Sequence, residues 1–361
     1  MKSVRVGLVG VGMMGREHIR NLKLLPDARI VALCDPEPEQ LALSRRTVGR
    51  AQEDLKSFAR VEDMLAGAAL DAVIISSPNF THRAVLEHLF PTDLAILCEK
   101  PLCTTVDDAR WAASRAAARQ AVFWVGMEYR FMPPVVEFIR DLHAGEVGDL
   151  AMLTIREHRF PFLHKVRDWN RFNRNTGGTM VEKCCHFFDL MRLIVKAEPV
   201  SVFCSGARDV NHGDELYDGE APDIIDNAFT IVDFDNGVRA MLDLCMFAEG
   251  AEQQEEITAV GSKARLQVFI PSGDIELAPR VPLGQPKQVQ RRNVPVDAAV
   301  LAAGTHHGST FYQLQAFLAA VQGRGPVTVT AEDGFRAVAI GAAAELSARE
   351  RRMVSMSEMG L

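Results

Sequence analysis

The chain has 361 residues and is poor in several features. Its seven cysteines (Cys34, Cys98, Cys103, Cys184, Cys185, Cys204 and Cys245) are odd in number, irregular in spacing and without a Cys-x-x-Cys pair. That argues against both a disulfide framework and a structural zinc site, so no metal is expected. Nowhere does the sequence reach the run of roughly 18 uncharged apolar residues that a membrane span needs. Nor does it carry an excess of positive charge: 40 Lys and Arg stand against 47 Asp and Glu, a formal net charge of −7. Nucleic-acid binding needs a cationic footprint, and the only dense basic runs, Arg291-Arg292 and Arg349-Glu350-Arg351-Arg352, read as solvated faces. Met1-Lys2-Ser3 leads straight into a strand-like run with no leader pattern, so a reducing cytoplasm is expected. Repeats and low-complexity tracts are absent as well.

What remains is an ordinary globular composition, 48% hydrophobic and 24% charged, at a length that suggests two domains. The first third alternates strand and helix. Short Val- and Ile-rich runs at 4–9, 30–34, 72–76, 95–99 and 122–125 read as buried parallel strands. Helical stretches separate them, one opening with Thr105 and the acids Asp107 and Asp108. This rhythm predicts a doubly wound α/β sheet over residues 1–126. Beyond it, after a helix at 134–143, strand-like runs joined by tight turns dominate. The turn Asp235-Asn236-Gly237 is a strong hairpin signal, because Asn-Gly tolerates positive φ at both turn positions. Residues 127–361 are therefore expected to form an α+β domain with a large, mainly antiparallel sheet. Residues 177–195 read as one helix, and 271–303 as a long loop or hairpin arm.

Gly10-Val11-Gly12-Met13-Met14-Gly15 matches G-x-G-x-x-G between a predicted strand and a predicted helix. An acidic residue, Asp35, ends the second strand 20 residues after Gly15. Together these form the dinucleotide fingerprint. Gly10 permits the tight turn, Gly12 lets the backbone approach a pyrophosphate, and Gly15 lets the helix pack closely. The Asp35 carboxylate accepts from ribose hydroxyls and repels a 2′-phosphate. Pro36 follows it with no adjacent arginine, so NAD is favoured over NADP, although Arg16 lies near enough to soften the choice.

Further segments carry a family resemblance: Ser76-Ser77-Pro78-Asn79 with Thr81-His82; Glu99-Lys100-Pro101-Leu102; and Gly177-Gly178-Thr179 followed by Glu182 and His186. Asp226-Asn227-Ala228 and Glu332-Asp333-Gly334 add to it. With the glycine motif, these resemble the glucose–fructose oxidoreductase/inositol dehydrogenase (Gfo/Idh/MocA) family along almost the whole chain. The resemblance implies a Rossmann NAD(P) domain (1–126), a substrate-binding and oligomerisation domain (127–361), and a homodimer or homotetramer formed through the second domain's sheet. It also implies cofactor contacts by Gly10, Gly12, Met13, Met14, Gly15, Asp35, Ser77, Pro78, Asn79, His82, Glu99 and Lys100.

Lys100 follows a buried parallel strand and so projects at the carboxyl end of the sheet, where doubly wound folds place their sites. There it would orient a substrate oxygen and stabilise its developing charge. Glu182 and His186, spaced i, i+4, would share one helix face. His186 is the candidate general base, because its ordinary pKa lies near neutrality. Glu182 would hold the substrate or the imidazole, and its extra methylene departs from the family's usual aspartate. Lys183 and Cys184-Cys185 are also distinctive, and the two thiols are read as packing groups. The loop before this helix offers Arg159, Lys165, Asp168, Trp169 and Asn170 to a polyhydroxylated ring, with Tyr129 and Thr305-His306-His307 as further candidates. The expected function is an NAD-dependent sugar or polyol dehydrogenase. The alternatives are a keto-sugar or other carbonyl reductase, an NAD-dependent glycosidase, and a non-catalytic cofactor-sensing regulator.

Overall fold

The computed structural model describes residues 3–49 and 54–361. Met1 and Lys2, on which part of the leader reading falls, lie outside them. The chain divides into two compact units. The first comprises Met1–Glu128, Lys165–Trp169 and Asp297–Val338; the second comprises Tyr129–His164, Asn170–Val296 and Ala339–Leu361.

In the first unit, six strands form one parallel sheet: β1 (Val4–Val9), β2 (Ala28–Cys34), β3 (Lys56–Phe58), β4 (Ala72–Ile75), β5 (Ala95–Glu99) and β6 (Phe123–Gly126). Their order is β3-β2-β1-β4-β5-β6, so the winding reverses between β1 and β4. β4 and β5 are buried at every position, as the unbroken Ala-Val-Ile-Ile and Ala-Ile-Leu-Cys runs require of strands covered on both faces. The helix Val106–Ala117 is capped by Thr105, whose side chain accepts from the Asp108 N–H, with Asp107 and Asp108 at the positive end of the helix dipole. A segment distant in sequence completes the unit. The helix Ser309–Val321 packs on the helix Met13–Leu22, and Phe317 meets Trp124 edge-on at 6.2 Å.

In the second unit, nine strands form one mixed sheet: β7 (Leu150–His158), β8 (Pro199–Ala207), β9 (Asn227–Phe234), β10 (Arg239–Cys245), β11 (Glu255–Gly261), β12 (Ala264–Ile270), β13 (Asp274–Pro279), β14 (Gln290–Asn293) and β15 (Val354–Ser355). Their order is β14-β13-β12-β11-β7-β10-β9-β8-β15. Every neighbouring pair is antiparallel except β7 and β10, which run parallel at the centre. One face is buried under helices. The other is open and carries Phe229 and Ile231 of β9 beside Phe203 of β8.

Three local expectations change. The β9–β10 hairpin forms, but only Gly237 takes positive φ (85°), with its N–H bonded to Phe234 O. The connection is thus a three-residue loop ending in a left-handed glycine, not the two-residue turn with both positions left-handed. Residues 271–303 take the hairpin-arm form as far as β14, with β13 and β14 paired, but Ala298–Ala303 form a helix capped by Asp297. The helix expected over 177–195 is split into Thr179–Glu182 and Cys185–Val195. At the break Thr179 O accepts from the Lys183 N–H at 2.9 Å and also from the Cys184 N–H at 3.2 Å, one residue beyond the latter's α-helical partner.

Candidate active site

The carboxyl ends of β1, β2, β4 and β5 carry the first unit's chemistry. After β1 the chain turns at Gly10, whose φ is +79° and whose side-chain direction is filled by backbone: a Cβ there would lie 2.3 Å from Ser77 Cα. A Cβ on Gly15 would lie 2.4 Å from Gly10 O, so the helix sits directly on the turn. Beside Gly12 the opposite holds, since a Cβ there would meet nothing within 4 Å. Gly12 opens the helix Met13–Leu22, which has no side-chain cap and no acid in its first turn. The result is a cradle of free N–H groups at a positive dipole end with backbone accessible, which suits a pyrophosphate.

Asp35 follows β2 and is buried. Its Oδ2 accepts from Val11 N at 2.9 Å and its Oδ1 from Glu37 N at 2.9 Å. Burial raises its pKa above the ordinary carboxylate range, against the pull of those two N–H groups. The Arg16 guanidinium is engaged by Gln40 Oε1 (2.6 Å) and Val11 O (3.1 Å). After β4, Ser76 Oγ donates to Gly10 O at 2.6 Å and Thr81 Oγ1 bonds Ser77 Oγ at 2.7 Å. Asn79 is buried, and its Nδ2 has no hydrogen-bond partner among the described residues. These residues fit a dinucleotide. His82 does not join them as a contact: it is fully buried, with its ring nitrogens on Pro101 O (2.9 Å) and Ser77 O (3.1 Å). It ties the β4 and β5 loops together from behind.

Lys100 is half-buried at the end of β5, and its N–H donates to Glu99 Oε2 at 3.1 Å. Glu99 in turn meets His18 Nε2 at 2.7 Å. Beside them lies a buried group that the sequence reading missed. Glu17 Oε1 contacts His306 Nδ1 at 2.7 Å, and Thr310 Oγ1 bridges Glu17 (3.0 Å) and Glu128 (2.5 Å). Burial pushes Glu17 up, but the bonds from His306 and Thr310 and the charge of His306 outweigh it and hold its pKa down at about 2. Thr305-His306-His307 thus contributes His306 to an acid–histidine network. The available signal was Glu17-His18, two polar residues at positions where the helix should turn an apolar face inward.

In the second unit Glu182 ends its short helix and His186 is the second residue of the next; both are buried. The His186 imidazole lies flat against the Tyr129 ring, with centroids 4.0 Å apart and planes 7° apart. One turn on, Asp189 is gripped by Arg130 through two parallel bonds, one from Nε at 2.5 Å and one from the terminal nitrogen. Cys184 and Cys185 are buried, and burial raises the Cys184 thiol well above its ordinary pKa, which suits packing rather than reactivity.

The chain was compared with known proteins. Residues 4–127 match the oxidoreductase family with NAD-binding Rossmann fold (Gfo/Idh/MocA), and residues 140–356 match that family's C-terminal alpha/beta domain. The chain belongs to the Gfo/Idh/MocA oxidoreductase family. It is 25% identical over 98% of its length to the inositol 2-dehydrogenase of Rhizobium meliloti (strain 1021), all of which is covered. A solved structure described as a putative myo-inositol dehydrogenase from Sinorhizobium meliloti 1021 aligns with a TM-score of 0.78 at 25% identity, over 98% of this chain and 100% of that one. Levoglucosan dehydrogenase in complex with NADH aligns with a TM-score of 0.85 over 98% and 99% at 19% identity, which speaks for the fold alone. This Gfo/Idh/MocA protein is an NAD-binding oxidoreductase, and no described helix is long and apolar enough to cross a membrane.

For a Gfo/Idh/MocA member, the candidate substrate residues divide between the units. Lys165, Asp168 and Trp169 belong to the first, where Trp169 meets Phe80 edge-on at 6.0 Å and Lys165 Nζ lies 5.8 Å from the indole centre. Arg167 and Asp168 take left-handed φ values of 58° and 47°, unusual for non-glycine residues, and Arg167 pairs with Glu37 at 2.6 Å. Arg159, Tyr129 and Asn170 belong to the second unit. Asn170 is fully buried, donates to Leu163 O at 3.1 Å and accepts from Arg171, so it holds the loop's shape and is not free to contact a substrate. Arg171 is buried as well and pairs with Glu215 at 2.8 Å. Among the described residues, no cluster of three or more His, Cys, Asp or Glu suits a metal ion.

Proposed function

We propose that this protein is an NAD-dependent dehydrogenase that oxidises a secondary alcohol on a sugar or polyol, inositol- or pyranose-like. Residues 1–126 hold the cofactor, and residues 127–361 serve substrate binding and oligomerisation. The observation that carries this reading is the presence of Lys100 at the end of β5 and of Glu182 and His186 on two successive helices, in a chain aligned end to end with an inositol 2-dehydrogenase. A cofactor-sensing regulator needs the glycine cradle and Asp35 but has no use for these three side chains.

Bound NAD supplies the acceptor for the hydride that leaves the alcohol carbon. The chain's own residues carry the rest. His186 takes the hydroxyl proton as general base. Lys100 donates a hydrogen bond to the same oxygen, orients it and stabilises the negative charge that develops before the carbonyl forms. Glu182 accepts from a neighbouring hydroxyl or from the imidazole. Gly10, Gly12, Met13, Met14 and Gly15 would hold the pyrophosphate, Asp35 would accept from the ribose hydroxyls, and Ser77, Pro78, Asn79 and Glu99 would border the cofactor. Tyr129, Arg159, Lys165, Asp168 and Trp169 meet the polyol.

The open face of the nine-stranded sheet supports a homodimer or homotetramer, and the proposed location is the cytoplasm. Phe203 and Ile231 stand opposite each other there, with Phe229 and Met152 exposed on the same sheet. Large apolar residues grouped on one face mark an interaction surface.

A panel of inositols, pyranoses and keto-sugars assayed with NAD and NADP, followed by the absorbance of the reduced cofactor, tests the reading. Reduction of NAD by an inositol or pyranose is expected. Turnover confined to keto-sugars with reduced cofactor would replace it with the reductase, and cofactor binding without any turnover would favour the regulator.

A further inference from the structure

The buried face of the second unit's sheet breaks its own pattern at one place. Along β7 the inward residues are Leu153, Ile155 and Glu157; along β11 they are Glu255, Ile257 and Ala259. Glu157 and Glu255 stand directly opposite each other, and both are almost completely out of water. Like charges opposed across a sheet are unfavourable, and a buried carboxylate without a partner costs several kcal/mol on the order expected for such groups. Their compensation is Lys183. Its ammonium lies 2.8 Å from Glu157 Oε1 and is 5% exposed, at the break between the helices that carry Glu182 and His186. Arg159 adds a second positive charge, 3.4 Å from Glu157.

Lys183 also makes a bond that ion pairing does not require. It donates to the Tyr129 hydroxyl at 2.6 Å, and its nitrogen lies 4.7 Å from the centre of that ring. The same ring is the one that lies flat on His186. Tyr129 is thus held by a charge-assisted bond at the hydroxyl end, by a stacked imidazole on one face and by the Phe187 ring edge-on at 5.7 Å, among its contacts. A phenol ring tethered at its hydroxyl cannot swing away from the imidazole without breaking a bond made in a desolvated site, where such bonds are strong.

We propose that Lys183, braced by Glu157, is a positioning residue that pins the Tyr129 ring against His186 and thereby sets the orientation of the imidazole. The inference rests on the reading of His186 as the general base. A proton acceptor must face the hydroxyl it deprotonates within hydrogen-bond reach, so ring orientation bears on rate more than on ground-state binding. The groups around Lys183 are Glu157 of β7, Glu255 of β11, Arg159 after β7 and Tyr129. Desolvation lowers the pKa of the lysine from its ordinary value, against the pull of Glu157 and Glu255.

The test uses a double variant, because Lys183→Met alone leaves Glu157 and Glu255 buried with Arg159, 3.4 Å from Glu157, as their remaining positive neighbour and risks misfolding. The double variant Lys183→Met/Glu157→Gln removes both charges at similar volume, and Tyr129→Phe keeps the ring but cuts the tether. The His186 ring proton is read by NMR on histidine-labelled protein and assigned by its disappearance in His186→Ala. A ring stacked at this distance places that signal upfield.

In both test variants the signal is expected to move downfield. The kcat should fall roughly tenfold or more with NAD binding retained, and in the double variant, whose residues have no assigned substrate contact, KM should change by less than about threefold. Combining the variants should cost little beyond either one, as for groups acting through one contact. An unmoved signal overturns the inference, and so does an unchanged kcat when His186→Ala abolishes turnover. Full activity in His186→Ala refutes the general base itself, while the NMR shift still decides whether Lys183 sets the ring.

Discussion

Gly10 and Ser77 meet backbone to backbone: a methyl group on Gly10 would stand 2.3 Å from both the Cα and the N of Ser77. The contact joins the loops after β1 and β4, the two strands between which the winding reverses, and it leaves no room for any side chain. Gly10→Ala would combine this clash with a positive φ that an L-residue adopts at a cost of about 1 kcal/mol or more. It is expected to weaken NAD binding by roughly tenfold or more and to lower the melting temperature; calorimetric titration and thermal unfolding measure both. Gly12→Ala, where a Cβ meets nothing, should fold normally and lose only cofactor affinity.

Asp35 is held by the N–H groups of Val11 and Glu37, which fixes the carboxylate proposed to receive the ribose hydroxyls. Asp35→Ser removes the charge that repels a 2′-phosphate. The ratio of kcat/KM for NAD to that for NADP should fall by roughly tenfold to a hundredfold, as for the loss of a charged hydrogen-bonding group. A wild-type preference for NADP would overturn the role given to Asp35.

Lys100 and His186 are expected to act on the substrate oxygen. Lys100→Ala should lower kcat by about 10²–10⁴-fold while NAD binding persists. His186→Ala should flatten the acid limb of the kcat/KM profile, since that limb reports protonation of the free enzyme's base. Full activity in Lys100→Ala sinks its assignment, and an unchanged pH profile in His186→Ala sinks the other.

Glu345 offers a test of stability against pH. It is half-buried, accepts from the Met180 N–H at 2.9 Å and occupies the space beside Gly178. Burial, with the charge of Asp223 adding, pushes its pKa up to about 7 from the ordinary 4.5. A carboxyl whose folded pKa is raised contributes stability below its unfolded pKa and loses it as pH rises through the folded value. Glu345→Gln keeps the acceptor and abolishes the ionisation. At pH 8 it should stabilise the fold by roughly 1–2 kcal/mol after discounting partial exposure, and at pH 4, below the unfolded pKa, the difference should be nearly gone. Melting temperatures at the two pH values decide it.

Much of the first unit was legible because its signals are local. Val- and Ile-rich runs, a glycine motif between strand and helix, and an acid 20 residues on each report backbone demands that neighbouring residues impose. The hairpin at 235–237 was legible for the same reason, although the turn took another form. By contrast, the helix over 177–195 was read as continuous because its hydrophobic periodicity continues across the break, and periodicity does not register one displaced hydrogen bond.

What the sequence determined by itself, then, is the fold class and the glycine turn before the first helix, since backbone geometry and strand position follow from short-range pattern; the roles of Lys100, Glu182 and His186 are proposals. Only the tertiary structure decided what stands behind them. Glu17 and His306 lie 289 residues apart yet touch, and Lys183 reaches Tyr129 across 54 residues. It also withdrew His82 and Asn170 from the surface into supporting roles. Side-chain direction and burial arise from packing between distant segments, and a polar residue's partner is fixed only when the chain has folded and desolvation obliges it to find one.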